Sequence, residues 1–587
     1  MCGIVGCAAD EPVAKMLLSG LKRVEYRGYD SAGMASVYER RIEVRKGVGK
    51  VDEIERRLAL SAMKGNTAVA HTRWATHGGV TESNAHPHTS CGEKVAIVHN
   101  GIVENYLKLK EELLSRGHRF KSETDTEVIA HLLEEEYSRL GDSVKAMVSV
   151  VKMLKGQYAV AAIFQDRPDT IVGARKDAPL LVGVSDGKNF IASDVLAFIE
   201  HTDRAIFLNN MEVAEVTKDS VRIFDFRGRE VKRKPTQVAW ELADLSKFDY
   251  AHYTLKEINE QPKTVAGAHM QDEARLEEFA GALRKADYVF VVGSGTSYHA
   301  GMIFANRLAK EARVRNEAVI SGEFRERLDF VDRSTVVVAL SQSGETADVL
   351  EAVRLARKKG ARVLSIVNAV GSTLARESDT TLLLNCGPEV GVAATKSFTA
   401  QVVVSNLVVD RLLGRSGNGI ESLSSAVERA LRTDDLVRQL AVRYRDAPDF
   451  YFVARGQHYP VALEGALKLK ELSYIHAEGM PASELKHGTL ALIEKGTPVV
   501  VINPSGPNHE DTLSNAEELR ARGADVIGVS DVQSRVYTHF VKVPEVEEKY
   551  KPVVEVIPLQ LLAYWSAVAR RNDPDYPRNL AKSVTVK

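Results

Sequence analysis

The carboxyl-terminal half of this 587-residue chain carries one pattern twice at a fixed spacing, which constrains the fold more than any other feature. Asp287-Tyr-Val-Phe-Val-Val-Gly293 is echoed by Asp449-Phe-Tyr-Phe-Val-Ala-Arg455, and Thr335-Val-Val-Val-Ala-Leu-Ser-Gln-Ser343-Gly344 by Thr497-Pro-Val-Val-Val-Ile-Asn-Pro-Ser505-Gly506. Lys358-Lys-Gly360-Ala matches Ala521-Arg-Gly523-Ala. The landmarks lie 162 or 163 positions apart (287 and 449, 343 and 505, 360 and 523). Repetition at one offset means one fold built twice. Each copy runs strand, Gly or Ser turn, then helix, which is the pattern of a doubly wound parallel α/β domain.

Before residue 240 the pattern differs. Short β-like runs (67–70, 95–98, 158–164, 170–173, 190–193) are separated by Gly- and Asp-rich turns, with a helix expected over 127–139. That reads as an α+β domain on antiparallel sheet. The expected division is 1–240, a linker at 241–274 (charged and helical without a strong apolar face), one repeat at 275–420 and the other at 436–587.

Net charge near −1 gives no general field for nucleic acid or membrane. The run Lys232-Arg233-Lys234 reads as a solvated edge or linker. No segment is expected to reach the ~18 uncharged apolar residues of a membrane span. The nearest, 397–409, is short and carries polar groups. Four cysteines without a CxxC pair argue against a disulfide framework or zinc ribbon and favour a cytoplasmic, reduced protein.

Cys2 follows the initiator Met1. Removal of that methionine would give one residue both a thiol and a free α-amine, a nucleophile with its own base. No basic region precedes the apolar start and Asp10-Glu11-Pro12 interrupts it, so a signal peptide is not expected. A thiol amide hydrolase needs oxyanion donors, for which Asn100 and the Gly101 N–H are suited. A free amino-acid substrate needs a cation for its carboxylate, as Arg73 offers, and an anion for its ammonium, as Asp125 offers. Plainer readings stand beside these. Asn100-Gly101 is also a hairpin turn, Thr124 or Asp125 a helix cap, and His86, His88 and Cys91 metal ligands lacking a second paired half.

In the first repeat, Ser341-Gln342-Ser343-Gly344-Glu345-Thr346 opens a helix with hydroxyls and free N–H groups, a phosphate site without the lysine of a nucleotide loop. Gly293-Ser-Gly-Thr296-Ser297 is a second such turn, and simple capping would account for one of the two. In the second repeat Asn503-Pro-Ser-Gly-Pro507 has lost donors to proline. That repeat instead offers Glu464, Lys468 and Glu471 on one helix face, where a surface salt-bridge ladder is the alternative. His487 follows in a loop. Taken alone, Lys582 reads as a solvated lysine near a chain end.

Met1-Cys-Gly-Ile-Val-Gly6, Tyr26-Arg-Gly-Tyr-Asp-Ser-Ala-Gly33, His71-Thr-Arg-Trp-Ala-Thr-His-Gly78, Asn84-Ala-His-Pro-His88 and His99-Asn-Gly-Ile102 resemble the class II glutaminase domain of N-terminal-nucleophile amidotransferases. With Thr395-Lys-Ser-Phe-Thr399 and the closing Pro577-Arg-Asn-Leu-Ala-Lys-Ser-Val-Thr-Val-Lys587, the whole chain resembles the glucosamine-6-phosphate synthase family, a glutaminase joined to tandem sugar isomerase (SIS) domains. The resemblance implies an α+β N-terminal nucleophile (αββα sandwich) domain followed by two α/β doubly wound parallel-sheet SIS domains. It implies that L-glutamine and D-fructose 6-phosphate become L-glutamate and D-glucosamine 6-phosphate, with ammonia channelled between sites and no cofactor or metal. By that resemblance Cys2 is the nucleophile, Asn100 and Gly101 form the oxyanion hole, and Arg73, Thr76, His77 and Asp125 bind glutamine. Trp74 gates the channel. Thr296, Ser297, Ser341, Gln342, Ser343 and Thr346 hold the sugar phosphate, with Lys468 near the reacting carbons. His487 assists ring opening, Glu471 shuttles the proton and Lys582 forms the Schiff base. A homodimer is expected, with His487 serving the neighbour's site, and no nucleic-acid or membrane partner. Ser294 departs from the family's Cys-Gly-Thr-Ser turn, and no long insertion is present near 210–240. The alternative is a sugar-phosphate SIS protein with a vestigial glutaminase domain.

Overall fold

A computed structural model describes residues 2–238, 246–415 and 419–585. Two compact units emerge, residues 1–244 with 583–587, and residues 245–582.

The first unit stacks two antiparallel sheets. The strand Gly3–Ala9 lies inside an eight-stranded sheet between Lys188–Ala192 and Thr67–Arg73. The six-stranded sheet centres on Val95–Val103, Gly156–Phe164 and Arg167–Lys176. Side chains alternate across a strand, and here both faces find a core. Ala96 and Val98 join Ile4, Val69 and Ile191 in a cluster drawn from both sheets. Val95 and Ile97 turn to the other side and pack with Val128, Leu132, Met147 and Val151 of the helices Glu127–Leu140 and Ser143–Met153. Asp142 starts the second of these helices by accepting from Val144 N and Lys145 N at 2.9 and 3.0 Å. The helix Ala14–Val24 buries Ala14, Leu17, Gly20, Leu21 and Val24, one face at helical spacing, and packs on Gly3–Ala9 and Thr67–Arg73. The layers are helix, sheet, sheet, helix, the expected αββα sandwich.

The second unit contains two five-stranded parallel sheets of identical order. In sequence order within each repeat the strands run 2-1-3-4-5: Asn316–Ile320, Tyr288–Gly293, Thr335–Ser341, Arg362–Val367, Thr380–Leu383, and correspondingly His476–Pro481, Asp449–Ala454, Pro498–Ile502, Asp525–Ser530, His539–Lys542. The duplication read from sequence is thus a duplication of topology. Val336, Val338 and Leu340 enter the same core as Val500 and Ile502, while Val337, Ala339, Val499 and Val501 face outer layers of their own repeats. The helices Lys396–Leu412 and Lys551–Ala569 fill that shared core.

Two expectations need correction. Residues 241–245 of the expected linker lie outside the described residues. The rest of it carries the helices Tyr253–Asn259, Gln261–His269 and the start of Glu273–Arg284, and Ile258, Val265, Ala268 and Leu276, one of which (Leu276) lies just beyond its expected end, are core. Its polar character misled because the charged Lys256 and Glu257 and the neutral Gln261 are buried among partners. Likewise 397–409 is not the chain's best match to a membrane span. The segment Glu548–Ala569 is long and apolar enough, yet 83% of its apolar window is buried within the structure. It is an interior helix.

Candidate functional site

Cys2 precedes the central strand, and the register pairing Gly3 with Thr72 sets it beside Arg73 and Trp74. The Trp74 N–H donates to Cys2 Sγ at 3.2 Å. Burial raises the thiol pKa, a shift that this N–H and Arg73 only partly offset. From the other sheet, Asn100 Nδ2 donates to the Cys2 carbonyl at 2.9 Å. His71 Nε2 lies 3.0 Å from both Asn100 Oδ1 and the His99 carbonyl. Both are acceptors, so Nε2 carries the hydrogen and the Asn100 amide is fixed with its NH2 toward Cys2. Burial drives the His71 pKa down to about 3, so the ring is a neutral donor.

Asn100 and Gly101 are not a hairpin turn. They lie within Val95–Val103, opposite Ala159 and Tyr158. Gly101 has φ +120°, and a Cβ there would stand 2.0 Å from the Gln157 carbonyl oxygen, so only glycine fits. Neither Thr124 nor Asp125 caps the next helix. Its cap position is Thr126, without a side-chain bond. Asp125 Oδ2 accepts from Val103 N at 2.7 Å, and Thr124 Oγ1 meets His88 Nε2 at 3.2 Å. Arg73 is buried and donates to the carbonyls of His77, Gly78 and Gly79. Burial lowers its pKa, and the charges of Cys2, Asp30 and Asp125 oppose that shift. Thr76 is exposed, His77 half-buried and Trp74 half-buried, edge-on to Tyr29 at 5.5 Å. His86 stacks on His71 at 4.1 Å and His88 meets His86 at 4.7 Å, so these rings line the core behind the site.

In the second unit, Thr296 and Ser297 begin the helix Thr296–Lys310 after Tyr288–Gly293, and Ser341 ends the neighbouring parallel strand Thr335–Ser341. Both loops therefore leave adjacent strands at the carboxyl edge, where open sheets bind ligands. Ser341 Oγ accepts from Gly344 N at 2.9 Å, and Ser343 Oγ from Glu345 N at 3.2 Å. Thr346 begins the helix Ala347–Lys358 without a side-chain cap, and Gln342, Ser343 and Thr346 are partly exposed. The matching loop of the second repeat is already occupied: Asp531 accepts from Ser505 N and Oγ at 2.7 and 2.6 Å.

The helix Tyr459–Ser473 is no surface ladder, since Glu464 and Lys468 are 0% and 1% exposed. Glu464 accepts from Thr296 Oγ1 at 2.9 Å and meets His299 Nδ1 at 2.8 Å. Lys468 donates to Thr296 Oγ1 at 3.1 Å and to Glu471 Oε2 at 2.5 Å. The two repeats are thus joined by a buried polar network. Burial acts to lower the Lys468 pKa, but Glu464 and Glu471 more than offset it and hold the ammonium above its usual value.

Lys582 is not solvated either. Its side chain is 4% exposed and donates to Glu389 Oε2 at 2.6 Å. Glu389 also accepts from Thr395 N, Ser397 N and Ser397 Oγ within 2.9–3.0 Å, which gives the Thr395–Thr399 motif its local purpose. Burial works against its charge, yet Lys582 and these donors hold its pKa below the usual range. Next to this pair, burial raises Glu257 to about 7. His487 stands apart from this group, exposed at the end of Ala482–His487.

The glutamine amidotransferase domain model matches residues 71–200, and the SIS domain model matches 282–411 and 443–570. The chain is 46% identical to the glutamine–fructose-6-phosphate aminotransferase [isomerizing] of Thermococcus kodakarensis and 45% identical to that of Streptomyces coelicolor, each alignment covering 100% of both chains. The chain belongs to the glutamine–fructose-6-phosphate aminotransferase (isomerizing) family. Among solved structures, the C-terminal domain of the Francisella tularensis glucosamine-fructose-6-phosphate aminotransferase aligns with 57% of this chain and 100% of its own length, at 36% identity and a TM-score of 0.53.

Within that family's frame, the sequence reading missed the groups that hold the expected residues in place: His71 behind Asn100, Glu389 and Glu257 around Lys582, and His299 on Glu464. Only His71 had a signal, its place at the head of a quoted motif. Glu389 and Glu257 lie nearly 200 and more than 300 positions from Lys582 and gave none. Ser294 Oγ, at the family departure, pairs with Ser321 Oγ at 2.5 Å.

Proposed function

We propose that this protein converts L-glutamine and D-fructose 6-phosphate to L-glutamate and D-glucosamine 6-phosphate. With Met1 removed, Cys2 Sγ attacks the glutamine side-chain carbonyl, and the α-amine passes the thiol proton to the departing ammonia. Asn100 Nδ2 and the Gly101 N–H receive the oxyanion. Arg73 takes the α-carboxylate and Asp125 the α-ammonium, with Thr76 and His77 beside them. Water then frees glutamate from the thioester. Ammonia passes by Trp74 to the sugar site.

There the loops at Thr296–Ser297 and Ser341–Thr346 take the phosphate and hydroxyls. His487 opens the ring, the Lys582 amine condenses with the C2 carbonyl and expels water, and ammonia displaces the lysine as an imine. Glu471 carries a proton from C1 to C2, and Lys468 balances charge. No cofactor enters either step. For Lys582 to attack, its proton must leave; Glu389 beside it, and Glu257 titrating near neutrality, are acceptors at hand.

The observation that carries this reading is the burial of Lys582 against Glu389, which a solvated lysine near a chain end would not have. Mass spectrometry of products from glutamine plus fructose 6-phosphate tests the overall reaction. Borohydride reduction with fructose 6-phosphate should trap a covalent adduct that Lys582→Arg abolishes, and an undiminished adduct in that variant defeats the assignment. Cys2→Ala should abolish glutamine hydrolysis and spare sugar-phosphate isomerisation.

We further propose a cytoplasmic homodimer, in keeping with four free cysteines. His487, exposed in a single chain, would complete the neighbour's site. Mixing inactive His487→Ala and Lys582→Arg chains should restore partial synthesis, and no restoration would refute this sharing.

A further inference from the structure

The first unit brings together three donor groups that the chemistry at Cys2 does not use. Cys91 lies in the turn after the short strand His88–Thr89, His118 in the segment between the helices Tyr106–Ser115 and Glu127–Leu140, and His131 on the second of these helices. Cys91 Sγ stands 3.6 Å from His118 Nδ1 and 3.6 Å from His131 Nδ1, and the two Nδ1 atoms are 3.2 Å apart. A tetrahedral zinc ion, with bonds of about 2.0–2.1 Å to nitrogen and about 2.3 Å to sulfur, requires edges of roughly 3.3–3.6 Å between its ligands. The triangle already has that size.

The far side of the His118 ring says which of its nitrogens faces inward as a lone pair. His118 Nε2 is hydrogen-bonded to Glu135 Oε1 at 3.0 Å, whereas His131 Nε2 lies 3.5 Å from Glu127 Oε1, too long for a hydrogen bond. A carboxylate beside one ring nitrogen draws the hydrogen there and leaves the other nitrogen bare, the arrangement that orients metal-bound histidines. The two Nδ1 atoms, 3.2 Å apart, need a cation or a shared hydrogen between them. At the third corner the Arg119 N–H donates to Cys91 Sγ at 3.1 Å, which fixes the sulfur in place. His131 is 1% exposed and Cys91 is exposed, so the site has a buried floor and a solvent-facing mouth.

We propose that Cys91, His118 and His131 bind one zinc-class divalent cation through Sγ and the two Nδ1 atoms, with water in the fourth position. Thiolate with two imidazoles selects zinc over magnesium or calcium. Binding releases the Cys91 thiol proton to solvent and involves no change of oxidation state. The ion would tie the Cys91 turn, the His118 segment and the helix that begins two residues after Asp125, and so steady that loop. The sequence reading weighed Cys91 only with His86 and His88 and set a metal aside; those two rings are engaged with His71 and with Thr124.

Cobalt(II) added to the metal-stripped full-length protein tests this directly. One equivalent should produce a near-ultraviolet thiolate-to-cobalt charge-transfer band and the visible bands of a tetrahedral ion. The charge-transfer band should persist in Cys2→Ala and vanish in Cys91→Ser, a substitution at an exposed position, and His118→Gln should weaken cobalt binding at least 10-fold. Zinc should raise the unfolding midpoint of the parent chain and not of Cys91→Ser. Absence of the band, or a band that survives Cys91→Ser, overturns the proposal, and so does an equal zinc response in the two proteins.

Discussion

Lys582 and Asn100 illustrate how single residues gain meaning from neighbours far away in sequence. A lysine five residues from the chain end is ordinarily solvated, yet here it is enclosed with Glu389, whose other lone pairs are filled by the Thr395–Ser397 backbone. An asparagine before a glycine is ordinarily a turn, yet here it is a mid-strand side chain with its amide set by His71. Removing the donor in Asn100→Ala is expected to lower kcat for glutamine hydrolysis by roughly 10²–10³-fold with a smaller change in KM. His71 acts through Asn100 and is a positioning residue. His71→Leu should therefore lower kcat in the same direction, and His71→Gln, which keeps an N–H, should recover part of it. Glutamate release measures all three. Equal activity of the Leu and Gln variants would remove the donor role.

Among elements, the loop Ser341–Thr346 and the helix Tyr459–Ser473 divide the work of the sugar site proposed above. Gly344 has φ +65°, and a Cβ there would lie 2.2 Å from Ser372 Oγ. Gly344→Ala is expected to distort the loop, destabilising by ~1–3 kcal/mol and raising KM for fructose 6-phosphate more than it lowers kcat. On the helix, Glu464 and Lys468 neutralise one another out of water. Glu464→Leu leaves the Lys468 ammonium buried with Glu471 alone, and loss of one partner of a buried pair costs about 3–5 kcal/mol. Urea titration should register that loss, and a change within error would mean the pair is solvated. The sequence displayed the spacing of these residues but not their burial, because the partner surface, the helix Thr296–Lys310, comes from the other repeat.

At the scale of the molecule, the two units should differ in autonomy and in their response to pH. Fragments at 1–238 and 246–587 are expected to fold separately and keep glutaminase and isomerase activity respectively. Cutting within 416–418 should unfold the second unit, because one core draws on both of its repeats. Circular dichroism of the cut chain decides this. His71, His86, His88 and His99 are held neutral by burial, each with a depressed pKa. Such groups cost nothing above the unfolded histidine pKa of ~6.5. Below it the unfolded chain gains protons the fold refuses, so stability falls by about 1.4 kcal/mol per pH unit per histidine. Denaturant unfolding of the 1–238 fragment at about pH 7.5 and about pH 5.5 should show that loss, and a flat profile would refute it. His458 in the second unit has the opposite sign. Burial alone would lower its pKa, but Glu555 and Glu548 raise it to about 9, so its contribution is full below ~6.5 and is lost as pH rises to about 9.

By itself the sequence determined the duplicated parallel α/β architecture, the antiparallel first unit and the chemistry expected at Cys2. Hydrophobic period, turn residues and repeat spacing are local quantities written along the chain. Only the tertiary structure decided that Ile258, Val265 and Ala268 of the expected linker are core, that Lys582, Glu464 and Lys468 are buried, and that Cys91 faces His118 and His131. Those facts depend on the desolvation and pairing of groups distant in sequence, which no periodicity records.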